Sequence, residues 1–244
     1  MKPQTILFVA LGVASSAAVL RALEVPSGAP VFSDPTSITN PYQAFVPGRM
    51  KHYERIQGNL DAEDFEFCTD ATRTFAWNGT SVACRVLQEM SLEDGEVVEI
   101  SRNYFAQADD GSVYYFGEVV DIYDGGLIVS HEGSWLVGGP SDPADPPETA
   151  TDTDPNVFMP ANPEPGDEYR PEDTLPVVDE EDLILKSGQK VSVPAGHFGE
   201  CLQIRESSQL SPDTETKWYA PGLGVVKVKE KGEVMVLDLV TMGP

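Results

Sequence analysis

Apolar and polar residues alternate with a period of two through most of the chain beyond residue 60. Phe65 and Phe67 alternate with acidic residues, and three later runs each keep their apolar side chains in one phase. These runs are Val82, Cys84, Val86, Met90 and Leu92; Val98, Ile100, Tyr104 and Ala106; and Tyr114, Phe116, Val120 and Ile122. Such alternation is typical of strands that bury one face. It predicts β-strands, and no convincing helical period of apolar residues follows the first twenty positions.

Short turns that contain glycine separate these runs. The pairs are Asn78-Gly79, Asp94-Gly95, Asp110-Gly111 and Asp124-Gly125, which accept the positive φ angles of tight hairpins. In Pro221-Gly222, proline presets the first central position of a type II turn and glycine supplies positive φ at the second. Further strands are expected from residue 183 to residue 240. The pattern predicts a mainly β, single antiparallel meander domain; a curved sheet, a barrel and a sandwich all fit it.

The composition divides the chain into segments. Residues 1–22 form a predicted signal peptide, residues 23–48 a Pro/Ser-rich linker, and residues 49–244 the β-rich domain. A long acidic loop is expected at 138–182, because fourteen acidic residues and one base, Arg170, lie between Asp142 and Asp182 among many prolines. About 200 ordered residues suffice for one well-buried domain.

The first twenty residues have the layout of an export signal. A basic start at Lys2 precedes an apolar run over 6–13 and small residues over 14–18, so cleavage is expected after Ala18 or nearer Ala22. An uncleaved anchor is the alternative, although the run is short for a bilayer span. No later segment is apolar enough to cross a membrane. The predicted location is periplasmic or secreted.

The net charge of −24 narrows the classes of partner. A surface this acidic repels phosphate backbones and anionic headgroups, so neither nucleic-acid binding nor adsorption to a membrane surface is expected. The expected partner is a small apolar ligand or another protein.

Three cysteines are candidates for a disulfide. They are Cys68, Cys84 and Cys201, and an oxidising compartment permits one bridge while the odd count leaves one thiol over. Cys84 shares the phase of Val82 and Val86, interpreted as inward. Cys68 shares the phase of Asp64 and Glu66, interpreted as outward. The pairing stays open.

Several short segments occur in an order that resembles a known group of proteins. They are Asn40-Pro41-Tyr42, Glu132-Gly133-Ser134-Trp135, Phe158-Met159-Pro160-Ala161-Asn162-Pro163, Val193-Pro194-Ala195-Gly196-His197-Phe198 and Trp218-Tyr219-Ala220-Pro221-Gly222-Leu223-Gly224. Together they resemble a widespread, uncharacterised family of exported bacterial β-rich proteins that end in a Tyr-Ala-Pro-Gly-x-Gly hairpin. The resemblance covers nearly the whole chain after the signal and implies a secreted β-rich domain without a stated activity. Cys68 and Cys84 depart from the group.

Motifs for catalysis or metal binding are weak. The histidines His52, His131 and His197 lie in separate predicted hairpins, whereas a metal site needs converging ligands. Residues 152–156 resemble the opening of a calcium loop but lack its glycine and its closing glutamate. There is no nucleophile elbow and no phosphate-binding glycine loop. We expect neither a cofactor nor a metal.

Aromatic residues carry the leading hypothesis about function. Five of them, Tyr104, Tyr114, Phe116, Trp135 and Phe158, lie in the central hairpins and the acidic loop. They either pack across strands or line a sheet face that holds an apolar or amphipathic ligand under the loop. The sequence thus favours an exported, non-catalytic binding or scaffolding module. The alternatives are a secreted hydrolase or lyase that uses carboxylates with His131, and an envelope interaction protein whose acidic loop meets a cationic partner.

Overall fold

The structure is a computed structural model that describes residues 23–24, 28–58 and 61–243. It contains sixteen strands: β1 Leu23–Glu24, β2 Arg49–Gln57, β3 Ala62–Trp77, β4 Thr80–Glu93, β5 Glu96–Gln107, β6 Val113–Asp124, β7 Leu127–Ser130, β8 Trp135–Val137, β9 Ala150–Asp152, β10 Asn156–Met159, β11 Asp167–Thr174, β12 Val178–Val193, β13 Gly196–Ser207, β14 Thr214–Ala220, β15 Gly224–Glu230 and β16 Glu233–Met242. No described residue is helical. The predicted signal peptide at 1–22 lies outside the described residues.

All sixteen strands belong to one nearly closed, barrel-like sheet. Two antiparallel meanders, β2 to β6 and β11 to β16, are joined where β16 pairs with β2. At the other side β10 pairs with β6 and lies against β11, which brings the two ends of the sheet together. The predicted mainly β, antiparallel meander is confirmed, and among its three possible forms the chain adopts the barrel-like one. Among the strands of the described residues, β1–β11 and β8–β9 are the parallel pairs.

The stretch predicted as an acidic loop, 138–182, is partly strand. It contains β9, β10 and β11 and the first residues of β12, so the irregular part is confined mainly to the stretch between β8 and β9. Even that part is tied down: Asp145 forms an ion pair with Arg73 at 2.7 Å and accepts hydrogen bonds from the backbone N–H groups of Ser141 and Asp142. The acidic side chains predicted a solvated loop, but Glu172, Glu180 and Asp182 face the inside of the sheet.

The segment predicted as a linker, 23–48, packs onto the domain over its described residues. Phe32 makes edge contacts with the rings of Trp77, Tyr114 and Phe116, and Ile38 is buried. We call the described residues 28–48 the strap, because they run across the outer face of β5 and β6. In the described part of the chain no helix is long and apolar enough to cross a membrane.

All three cysteines are buried and none forms a disulfide. A bulge after Cys68 sets it opposite Leu87, whereas Cys84 lies opposite Arg73. Cys68 and Cys84 belong to the large core cluster and Cys201 to a smaller one. All three thiols are free in the structure, and neither Cys84 nor Cys201 lies opposite Cys68 in the sheet.

The Asn40-Pro41-Tyr42 segment is a junction between distant turns. The Asn40 side chain donates to the carbonyl oxygens of Pro160 and Gly111 at 2.9 and 3.0 Å. The Pro41 carbonyl accepts the N–H of Gly222 at 2.6 Å, in the turn between β14 and β15. Gly222 has φ of 80° and Leu223 N–H bonds Ala220 O at 3.2 Å, which confirms the predicted turn.

We expect replacement of Gly222 by valine to lower the free energy of unfolding by about 1–3 kcal/mol, because a β-branched residue is strained at positive φ. Nothing lies within 4 Å of a Cβ added there, so the cost is conformational rather than a clash. Gly199→Val is the matched control, since Gly199 also has open space but lacks positive φ. Urea denaturation measures both; equal stability of the two variants would contradict the turn geometry.

Candidate functional site

The inside of the barrel holds two adjoining cavities of ≈ 210 and ≈ 240 Å³, which we call the acidic cavity. Glu66, Glu89, Lys217 and Val225 border both, so the two spaces share one wall. The lining side chains come from both meanders, an arrangement possible only inside the sheet. Seven lining residues are carboxylic acids: Asp64, Glu66, Glu89, Glu99, Glu118, Glu172 and Glu180.

The phase of the strands places these acids inside. Neighbouring residues of a strand point to opposite faces, so Glu66 faces the cavity while Phe65 and Phe67 face outward and stack at 6.2 Å between ring centroids. This corrects the interpretation of Asp64 and Glu66 as outward. Apolar residues mark the outer face here because the outer side of the sheet is itself partly covered.

Two lysines partly balance the acids. Lys51 forms an ion pair with Glu66, and the hydroxyl of Tyr53 donates to the other oxygen of Glu66 at 2.6 Å. Lys217 forms an ion pair with Glu206 and lies 3.7 Å from Glu215. Burial lowers the pKa of Lys217, but the surrounding carboxylates outweigh it and hold that pKa well above its usual range. Lys217 is therefore charged at all physiological pH values.

Glu180, Asp182 and Glu206 form a carboxylate triad beside Lys217. Each can place one oxygen within 4.8 Å of the others. Asp182 is 1% exposed and its Oδ1 has no hydrogen-bond partner. Burial raises the pKa of Asp182 to about 7, with the Lys217 charge acting in the opposite direction. Burial also raises the pKa of Glu180 well above its usual range.

Glu89 belongs to a hydrogen-bond network in the lining of the acidic cavity. Asn103 donates to Glu89 Oε2 at 2.9 Å and to Ser101 at 3.0 Å, and its own carbonyl oxygen accepts from Tyr115. Burial, followed by the charge of Glu66, raises the pKa of Glu89 from 4.5 to about 8. The side chain therefore holds a proton at neutral pH when no cation is near it.

Glu118 and Glu172 face each other as a carboxyl pair. Burial and then the charge of Glu172 raise the pKa of Glu118 well above its usual range. The pKa of Glu172 is raised less, because hydrogen bonds from Glu118 and Trp135 stabilise its charged form. One proton shared between two close carboxyl groups is the physical consequence.

An aromatic wall adjoins this pair. Tyr115 stacks on Phe105 with centroids 4.7 Å apart, Phe158 meets Phe105 edge-on at 4.7 Å, and Trp135 meets Tyr115 edge-on at 5.2 Å. The indole N–H of Trp135 lies 3.4 Å from Glu172. The cavity thus combines an apolar surface with buried carboxyl groups.

The five aromatic residues singled out from the sequence lie on two faces of the sheet. Trp135 and Phe158 belong to the inner wall. Tyr104, Tyr114 and Phe116 point outward and pack against Phe75 and the strap residue Phe32. Of these three, Tyr104 also borders an outer cleft of ≈ 560 Å³ beside Asp145 of the acidic loop.

His131 lies outside the barrel. Its Nδ1 is 2.9 Å from Asp121, and the same nitrogen is 3.0 Å from the Val120 carbonyl oxygen. Among the described residues, Asp121 is the only carboxylate within ion-pair distance of the His131 ring. The geometry does not bring His131 together with two acids, as the hydrolase alternative would require.

Sequence reasoning missed the inner acids because forty acidic residues hide any particular group of them. One signal was present: Glu180, Asp182, Glu206 and Glu215 repeat in phase with buried apolar residues such as Ile184 and Ile204. An acid in the buried phase of a strand points inward. The alternation is visible in the sequence, but which phase of each strand is buried is known only once the register of the strands is known.

No protein-family model matches this chain, and no curated protein matches it. Two solved structures are similar to it. One is described as an exported protein with a YmcC-like fold from Bacteroides fragilis NCTC 9343, with 13% identity, a TM-score of 0.42, and coverage of 84% of this chain and 99% of that one. The other is described as a lipoprotein from Parabacteroides distasonis ATCC 8503, with 12% identity, a TM-score of 0.41, and coverage of 83% and 99%.

The raised carboxyl pKa values predict that stability falls as pH rises. Between the ordinary pKa of 4.5 and about 8, folded Glu89 keeps a proton that the unfolded chain has released. The folded state binds more protons, so the free energy of unfolding decreases through this window and levels off above it. Asp109 and Asp145, whose pKa values are lowered, titrate below the window.

Glu89→Gln removes this ionisation and should stabilise the protein by on the order of 1 kcal/mol at about pH 9, with little effect at about pH 5. Glu93→Gln, at the exposed end of the same strand, is the matched control. Thermal unfolding across this pH range measures the effect. A Glu89→Gln profile parallel to that of the parent protein would show that Glu89 is not buried in its acidic form.

Proposed function

We propose that this protein is an exported, non-catalytic binding module that holds a small amphipathic cation in the acidic cavity. The observation that carries the proposal is that buried carboxyl groups and an aromatic wall line the same cavity. These residues are Glu118, Glu172, Tyr115 and Phe158. The signal-like segment at 1–22 supports a periplasmic or secreted location.

The charge of the cavity favours a cation. Seven acidic side chains line it, and Lys51 and Lys217 are the lining residues of opposite sign. Both lysines already have carboxylate partners, Glu66 and Glu206. Glu89, Glu118 and Glu172 keep no Lys or Arg partner among the described residues, and protons replace that partner when the cavity is empty. An ammonium group would displace those protons and restore the charged carboxylates.

The aromatic wall favours an apolar part on the same ligand. Phe105, Tyr115 and Phe158 present ring faces and edges to the space beside the Glu118–Glu172 pair. Pockets that combine an apolar lining with a few oriented polar groups are typical of small-molecule sites. Aromatic rings also attract cations directly. An amine with an attached ring or short alkyl chain matches both surfaces.

We expect 2-phenylethylammonium to bind, and the isosteric anion phenylacetate and the neutral alcohol 2-phenylethanol to bind at least tenfold more weakly. The affinity for the amine should rise from about pH 6 to about pH 8, because binding releases protons from carboxyl groups whose pKa is raised. Calorimetric titration in two buffers of different ionisation enthalpy measures both the affinity and the protons released.

Two variants test the carboxyl pair and the aromatic wall separately. Glu118→Gln with Glu172→Gln should weaken amine binding at least tenfold and reduce its pH dependence, of which Glu89 supplies the remainder. Phe158→Ala should weaken binding while leaving the pH dependence intact. Glu132→Gln, an exposed acid outside the barrel, is the control. Equal binding of the amine, the alcohol and the acid, or amine binding that survives the double variant, would refute the proposal.

A further inference from the structure

A second group of potential ligand atoms lies on the outer face of the barrel. His52 and Glu54 alternate with Lys51 and Tyr53, which border the acidic cavity, so they project from the opposite side of β2. Asp238 of β16 joins them, and His52, Glu54 and Asp238 can each place one ligand atom within 4.8 Å of the others. We propose that these three residues bind a divalent transition-metal ion of the Zn²⁺ type, with Glu63 of β3 as a positioning residue.

The two nitrogens of His52 have unequal contacts. Nε2 lies 2.8 Å from Glu63 Oε2, a normal hydrogen-bond distance. Nδ1 lies 3.4 Å from Asp238 Oδ2, beyond the usual range for N–H···O bonds. A neutral imidazole donates from one nitrogen only. With the proton on Nε2, the Nδ1 lone pair faces a carboxylate oxygen, and either a second proton or a metal ion between these two atoms removes their repulsion.

The spacing at Nδ1 suits a metal ion better than a hydrogen bond. Zn–N and Zn–O bonds of about 2.0–2.1 Å in a tetrahedron put neighbouring ligand atoms about 3.3–3.4 Å apart. The Nδ1–Oδ2 distance of 3.4 Å equals this edge. The Glu54 carboxylate lies within 4.8 Å of these two ligand atoms, and because the residue is exposed, its side chain can rotate to reach the same ion. The fourth position would be open to water.

The surroundings of His52 are those of a metal-binding histidine. Metal ligands of this type usually donate their second ring N–H to a carboxylate, which sets the tautomer and the ring orientation. Glu63 occupies that position. Stacking on Phe65, with centroids 4.6 Å apart and planes 22° from parallel, also holds the ring, whose side chain is only 12% exposed.

Charge distinguishes this group from the triad inside the barrel. At Glu180, Asp182 and Glu206 an ammonium group, Lys217, already supplies the positive charge. On the outer face, no Lys or Arg of the described chain forms an ion pair with Glu54, Glu63 or Asp238. Three carboxylates around one imidazole therefore leave an unbalanced negative charge. An imidazole ligand selects Zn²⁺ and similar ions over Ca²⁺ and Mg²⁺.

The test is calorimetric titration of the purified protein with Zn²⁺ in excess Mg²⁺, which occupies nonspecific acidic sites. We expect one site, weakened at least tenfold by His52→Asn, by Asp238→Asn and by Glu54→Gln. Glu54 is exposed, so its variant removes a carboxylate without removing a buried contact. His197→Asn, at an exposed histidine of the β12–β13 hairpin, is the control. Zn²⁺ binding unaffected by the first three variants, or no site at all, would overturn the proposal.

A second measurement identifies which nitrogen of His52 binds Zn²⁺. In ¹H–¹⁵N spectra of the imidazoles, Zn²⁺ should shift the Nδ1 signal of His52 most and leave His197 unchanged. Glu63→Leu removes the hydrogen-bond acceptor and should weaken Zn²⁺ binding about 10–100-fold, whereas Glu63→Gln keeps an acceptor and should weaken it less. Equal effects of the two Glu63 variants would refute the positioning role, and an unshifted His52 would refute the site.

Discussion

Pairing of β16 with β2 is the contact on which the rest of the structure depends. It joins the end of one meander to the start of the other, over residues separated by most of the chain, and so turns two curved ribbons into one enclosing sheet. Without it, the inner faces would lie open to water and their acids would be ordinary surface charges. The same pairing brings Asp238 to His52 on the outside. The cavity and the outer group of His52, Glu54 and Asp238 are therefore consequences of one ladder of hydrogen bonds.

Enclosure carries an electrostatic cost that the protein meets in three ways. Lysines neutralise some acids, as Lys217 does for Glu206. Neutral donors stabilise others, as Asn103 does for Glu89. Protons remain on the rest, as on Glu118, because burial raises the pKa of its carboxyl group well above the usual range. Replacing such a group by apolar residues is often neutral or stabilising, so stability alone does not account for the buried acids. The proposed cation takes the place of those protons.

Three of the five segments named from the sequence, 40–42, 158–163 and 218–224, meet in space at the N-terminal strap. Asn40 binds the backbone at Pro160, Pro41 binds the Gly222 turn, and the Tyr42 hydroxyl donates to the Glu200 carbonyl at 2.9 Å. These bonds connect the strap to both meanders and cover one end of the barrel, where Gln43 borders the acidic cavity. These three segments therefore form a structural junction.

The sequence by itself determined the strands, the hairpin turns and the class of fold, because alternation and turn chemistry are local properties of a few neighbouring residues. Gly222 with its positive φ is the clearest case. It did not determine which face of each strand is inside: Glu66 and Phe65 alternate equally well in either orientation, and only closure of the sheet put the acid within. Nor could the sequence show that His52 and Asp238 lie side by side, because the two residues are distant along the chain. Register and closure belong to the tertiary structure because they depend on the free energy of the whole sheet, which no local pattern contains.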